Sequence, residues 1–127
     1  MVLLDTHALI WWMTDDDRLG GDARAMIADP ESRVFVSGAT AWEIATKFRI
    51  GKLPSMGAVV RGLELSVLRA GFETLPVSFA HAQRAGLLAG QHGDPFDRML
   101  IAQGLTENLP IASNEAMFEH FGVSRIW

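Results

Sequence analysis

The feature that most constrains this chain is a repeated junction in which a short apolar run passes, without a turn, into a pattern of helical composition. Val2-Leu3-Leu4 is stopped by Asp5, and an apolar helical pattern over residues 8–13 follows at once. Val34-Phe35-Val36 runs through Ser37-Gly38-Ala39-Thr40 into Ala41-Trp42-Glu43-Ile44-Ala45. Runs this short are long enough for a strand and too short for a helix, so each junction reads as a buried strand feeding a helix. The alternation continues with a strand over 72–77, a small-residue helix over 79–89, a helix from Asp94 to about Leu105, a strand over 110–113, one or two helical turns over 115–121 and a closing strand over 123–127. Gly20-Gly21 opens a further short helix that ends near Asp29-Pro30, and residues 56–70 read as one helix with Val59, Leu63 and Val67 on a single face. Strands alternating with helices imply βαβ units, and hence a three-layer α/β/α fold around a mostly parallel five-stranded sheet.

The 127 residues suit one domain, 1–127, with no linker, repeat or low-complexity segment. There is no cysteine, which excludes a disulfide framework and thiolate metal ligation, so any metal must be held by oxygen or imidazole. No apolar stretch reaches the roughly 18 residues of a membrane span, and no leader pattern opens the chain, so the expectation is a cytoplasmic protein with no membrane partner. Eleven Lys and Arg against fifteen Asp and Glu give a charge of −4, which argues against a general polyanion-binding surface. Between Ile44 and Phe72, however, Lys47, Arg49, Lys52, Arg61 and Arg69 face only Glu64, a local positive segment suited to an RNA backbone or to nothing more than solvent.

Ligands in open α/β sheets sit beyond the carboxyl ends of the strands. Asp5, Glu43, Asp94, Asp97 and Glu115 all fall where that rule can gather them. Converging carboxylates repel one another unless a cation neutralises them, and hard oxygen donors select Mg²⁺ or Mn²⁺. Each acid also has a structural reading: Asp94 before Pro95 is a helix cap with Asp97 as its box partner, Glu43 a solvated helix residue, Glu115 a charge near a helix start. Asp5 is the hardest to place this way, because a carboxylate after three apolar residues needs a partner or a cation. Thr6 and Ser113 offer hydroxyls to acids or phosphate, or cap turns. Arg98 faces either a phosphate or Asp94. His7 and His92 are not required by an all-oxygen site, and Trp11, Trp12 and Trp42 read as core or interface.

Four blocks together resemble the PIN-domain ribonucleases, in particular VapC-type toxins of type II toxin-antitoxin systems. They are Leu4-Asp5-Thr6-His7-Ala8-Leu9-Ile10-Trp11; Ala41-Trp42-Glu43-Ile44 with Lys47 and Gly51-Lys52-Leu53; His92-Gly93-Asp94-Pro95-Phe96-Asp97-Arg98-Met99-Leu100-Ile101-Ala102-Gln103; and Leu109-Pro110-Ile111-Ala112-Ser113 before Glu115. The resemblance implies a Mg²⁺- or Mn²⁺-dependent endoribonuclease that leaves a 5′-phosphate and a 3′-hydroxyl. Asp5, Glu43 and Asp97 match the family's first three acids, Glu115 stands where the family more often has Asp, and Asp94 is an additional candidate ligand. It further implies substrate contacts at Thr6, Lys47, Lys52, Arg98 and Ser113, an antitoxin segment closing the site, and a homodimer, to which the closing Trp127 offers an apolar patch.

Competing readings are a non-enzymatic α/β interaction module with a structural acid cluster, and another metal-dependent phosphoryl hydrolase. A haloacid-dehalogenase-type phosphatase needs a second Asp two residues after the first, where His7 stands. A receiver domain needs its Asp at a mid-chain strand end, where Ser37 stands.

Overall fold

The computed structural model describes residues 1–127. Five strands, β1 (Val2–Leu4), β2 (Val34–Ser37), β3 (Glu73–Leu75), β4 (Ile111–Ala112) and β5 (Arg125–Ile126), form one sheet in the order β3-β2-β1-β4-β5. Every neighbouring pair is parallel, with Leu3 level with Phe35 and Ile111, and Leu4 level with Val36 and Ala112. Successive side chains on a strand point to opposite faces, so the strands feed two cores. Val2, Leu4, Val34, Val36 and Ala112 pack on one face with Leu9 of α1 (Thr6–Met13), Ile27 of α2 (Gly21–Ala28), Ile44 of α3 (Gly38–Arg49) and, beyond the short α4 (Gly57–Arg61), Val67 of α5 (Leu63–Arg69). Leu3 and Ile111 pack on the other with Leu100 and Ile101 of α7 (Pro95–Glu107) and with Phe118 of a 3₁₀ helix (Ala116–Phe121). The remaining helix, α6 (Phe79–Leu87), lies against α7. Both faces are covered, which explains why β1 is buried at every residue and reads as a continuous apolar run.

Three local outcomes differ from the sequence expectation. Helix α1 begins at Thr6 and α3 at Gly38, because the side chains of Asp5 and Ser37 cap them and bring the helix start up to the strand end. The expected single helix over 56–70 is a 3₁₀ turn (Pro54–Met56), then α4, then α5, broken at Gly62 (φ −116°, ψ 26°), where a residue of low helix propensity carries no cap. The helical turns expected after β4 are present as a 3₁₀ helix, closed by Gly122 in the left-handed region. The closing strand shortens to Arg125–Ile126, and Trp127 after it is half-buried. Its ring meets Trp11 edge-on at 5.7 Å, and it lies so close to Gly20 that a methyl there would stand 2.5 Å from the Trp127 carbonyl carbon. Gly20→Ala is therefore expected to destabilise the fold by about 1–3 kcal/mol. Urea midpoints would show it, with Gly21→Ala, whose added methyl meets nothing, as the neutral comparison.

The strand order reverses beside β1: β2 and β3 lie to one side of it, β4 and β5 to the other. The crevice beyond the carboxyl ends of β1 and β4 is thus the place where this topology makes room for a ligand.

Candidate active site

Asp5 leaves β1 directly into that crevice. It is 4% exposed, and its Oδ1 accepts the Ala8 N–H at 2.7 Å. Burial pushes its carboxyl above the ordinary carboxylate range, against the pull of a Ser113 hydrogen bond, the Ala8 N–H and nearby His7, and the negative charge of Glu115 pushes it further up. Asp97 stands in the first turn of α7, placed there by Asp94, whose Oδ1 accepts the Phe96 and Asp97 N–H groups at 2.9 and 3.1 Å, and by Pro95 at the first helical position. Its Oδ2 lies 2.8 Å from His92 Nε2. Burial raises Asp97 to about 6 against the pull of His92, and the charges of Asp94 and Glu115 add to the rise. Glu115 follows β4, with its N–H donated to Ser113 Oγ at 3.0 Å. Its negative charge contributes to the rise at both Asp5 and Asp97.

Glu43 joins them from the second turn of α3. It is 4% exposed, its Oε1 accepting the Thr6 hydroxyl and its Oε2 the Lys47 ammonium. Thr6 sits next to Asp5, so this bond fixes Glu43 to the same strand end across a sequence separation of 37.

The PIN domain family model matches residues 2–123. This chain belongs to the PIN domain family. Over 68 residues it is 37% identical to Ribonuclease VapC16 of Mycobacterium tuberculosis, a match covering 50% of this chain and 48% of that protein, so it spans about half the length of that relative. Solved structures show the same fold at low identity. FitAcB from Neisseria gonorrhoeae superposes with a TM-score of 0.67 at 20% identity, over 98% of this chain and 96% of that one. Mycobacterium tuberculosis VapC20, a sarcin-ricin loop cleaving toxin, gives 0.69 at 14% over 97% and 96%. VapBC2 from Rickettsia felis, bound to a DNA fragment from their promoter, gives 0.69 at 13% over the whole of both chains.

Several expected contacts are arranged differently in this PIN domain. Arg98 neither pairs with Asp94 nor faces the crevice as a free phosphate donor. Its guanidinium donates to three backbone carbonyls, Ala85 at 3.2 Å, His92 at 2.9 Å and Leu88 at 2.5 Å, and so ties the end of α6 to the loop before α7. Lys47 is engaged by Glu43, which leaves Lys52, exposed beyond α3, as the cation of that block with no acid partner. Thr6 serves Glu43, and Ser113 lies between Asp5 and the Glu115 backbone. Asp94 caps α7 as its structural reading expects, but Asp97 is not its box partner, because the Asp97 carboxylate is turned to His92. Trp11 is core and Trp12 half-buried, whereas Trp42 is 59% exposed with its ring edge-on to Phe96 at 4.7 Å. The partnership of His92 with Asp97 was not legible in the sequence beyond their proximity in one motif. The buried Thr40 hydroxyl, one turn before Glu43 on the same helix, has no hydrogen-bond partner, and nothing in the sequence singled it out.

The raised acids have a measurable consequence. A carboxyl whose folded value lies above its unfolded value binds more protons in the native state, so stability falls as pH rises through the interval between them. For Asp97 that interval runs from 3.8 to about 6, and Asp5 acts in the same direction. Discounted for solvent access, the loss at Asp97 is about 1–2 kcal/mol. Urea midpoints of metal-free protein are expected to fall between pH 4 and pH 6.5, and Asp97→Asn to flatten that slope; equal slopes for the two proteins would contradict it.

Proposed function

We propose that this PIN domain, residues 1–127 acting as one unit, is an endoribonuclease and the toxin of a toxin-antitoxin pair. The observation that carries the reading is the pairing of β1 with β4, Leu4 level with Ala112, which sets Asp5 beside the strand end that leads to Glu115. The relative named as a ribonuclease and the fold shared with a sarcin-ricin loop cleaving toxin and with a toxin-antitoxin complex from Klebsiella pneumoniae support it.

The donor set suits Mg²⁺ or Mn²⁺ in its chemistry: all oxygen, mutually repelling and short of cations. In the present orientations no three acid or imidazole side chains stand close enough to hold an ion jointly, because Asp5, Glu43 and Asp97 are each turned onto a local donor. Asp5, Asp97 and Glu115 are the side chains that would hold the cation, with Glu43 beside them and Asp94 acting through its cap. When bound, a divalent cation lowers the pKa of water and stabilises the departing oxygen. The chain's own part is to orient. Thr6 and Lys47 fix both oxygens of Glu43, His92 fixes Asp97, and Ser113 sits beside Asp5. Hydrolysis joins a water oxygen to phosphorus and breaks the bond to O3′, which takes the proton, leaving a 5′-phosphate and a 3′-hydroxyl. Lys52 and the cationic side chains of α3 to α5 offer the RNA backbone its attraction.

A cognate antitoxin covers the same crevice in this reading. The exposed Trp42, Leu65 and Leu68 on α3 and α5 supply apolar surface for a homodimer. No helix is long and apolar enough to cross a membrane. The interaction-module reading is favoured by one observation, that most of the acids already have donors. Purified full-length chain, incubated with structured RNA in Mg²⁺ or Mn²⁺ and then in EDTA, separates the two. Cation-dependent cuts bearing 5′-phosphates are expected; intact RNA under every condition would leave the interaction module.

A further inference from the structure

We propose that the cavity of about 390 Å³ between the loop 89–92 and the 3₁₀ helix Ala116–Phe121 is a nucleobase subsite, holding the base next to the scissile phosphate. The inference rests on the ribonuclease reading and adds to it a site of base recognition. Three observations carry it.

The cavity and the acid site share one side chain. His92 lines it and at the same time places Nε2 2.8 Å from Asp97 Oδ2. A group against His92 in the cavity is therefore separated from Asp97 by the width of an imidazole, a separation that suits a base whose own phosphate lies at Asp97. Its lining is also mixed in the way a base requires. Phe121 and Met117 give an apolar wall for a ring face, and His92, His120 and Gln91 present donors and acceptors to a ring edge. None of Gln91, Met117, His120 or Phe121 is used by the carboxylate machinery.

The wall is also built, not incidental. Gly90 has φ +119°, and a methyl group there would stand 3.0 Å from Phe121 Cε1 and 3.1 Å from Cζ. Only glycine lets the loop lie this close to the phenyl ring. Arg98 anchors the two ends of the same stretch through the Leu88 and His92 carbonyls. The volume exceeds that of a single base, so size alone excludes neither purines nor pyrimidines, and choice falls to the polar edge at Gln91 and His120.

The test uses full-length chain with Mn²⁺ and an RNA oligonucleotide containing a mapped cut, together with copies in which either nucleotide flanking the cut is abasic or carries each of the other bases. Wild type is expected to lose about tenfold or more in kcat/KM when the base at one flanking position is removed. The Gln91→Ala/His120→Ala variant, altered only at exposed positions, is expected to cut the abasic substrate as wild type does and to lose most of the discrimination among bases at that position. Cleavage by wild type that is indifferent to both flanking bases, or a variant with undiminished discrimination, overturns the subsite and leaves the ribonuclease standing. Absence of cleavage by wild type on every substrate overturns both. Urea midpoints of the variant, expected to match wild type, separate lost recognition from lost folding.

Discussion

Asp5→Asn and Asp97→Asn are each expected to lower kcat/KM for RNA by about 10³-fold while leaving the fold at least as stable as wild type. The two halves of that result come from the same cause. Both carboxyls are raised by burial and by the charge of Glu115, so in metal-free protein their ionisation is unfavourable and an uncharged amide relieves it. The backbone cap survives, because the Asn oxygen still accepts the N–H of Ala8. What is removed is the charge that a hydrolytic site needs. Cleavage of end-labelled RNA measures the first half and urea midpoints the second. Loss of fold together with activity would assign these acids a structural role, and unimpaired cleavage would remove them from the chemistry. Asp94→Asn is the control: its side chain can still accept from Phe96 and Asp97, so a much smaller loss is expected.

Arg98→Ala is expected to destabilise the protein by about 3 kcal/mol, the largest single effect on folding anticipated here. The guanidinium bonds three carbonyls at once, and its removal leaves the Ala85, Leu88 and His92 oxygens short of donors. Lysine carries the charge without the planar fork, so Arg98→Lys should recover only part of the loss. A phosphate contact would behave otherwise. It predicts unchanged stability and a KM that rises with the substitution while becoming less sensitive to salt. Urea midpoints and the salt dependence of KM, taken on the same variant, decide between the two. Because Arg98 holds the loop that carries His92, a secondary fall in kcat is expected through Asp97.

The positions of the acids were legible along the chain because strand ends are. Short apolar runs mark β1, β2 and β4, and in a parallel sheet their carboxyl ends lie at one edge. The sequence thus places Asp5 and Glu115, far apart along the chain, at one edge of the sheet. The partners of those acids were a different matter. Thr6 to Glu43 spans 37 positions, and the three carbonyls held by Arg98 belong to backbone that has no side-chain signature. The pairing of Arg98 with a phosphate or with Asp94 is what its neighbours in sequence suggest; its role as a tether follows from α6 packing beside α7.

The helix over 56–70 failed as a single element for a local reason that the sequence contained, Gly62, outweighed in the pattern by the regular apolar spacing around it. The half-burial of Trp127 has a cause that the sequence does not contain, since only the return of the chain to Gly20 and Trp11 brings its ring against them.

Sequence by itself determined the α/β class, the order of strands and helices along the chain, and the placement of acids at strand ends. These follow from periodicity and residue type, which act over a few neighbouring positions. Tertiary structure alone decided which strands are neighbours, which acids feel one another, which hydroxyl, ammonium and imidazole orient them, and that a cavity opens beside His92. Those depend on contacts between residues distant in sequence, whose energies arise only when packing has expelled water and brought the groups within a few ångströms of one another.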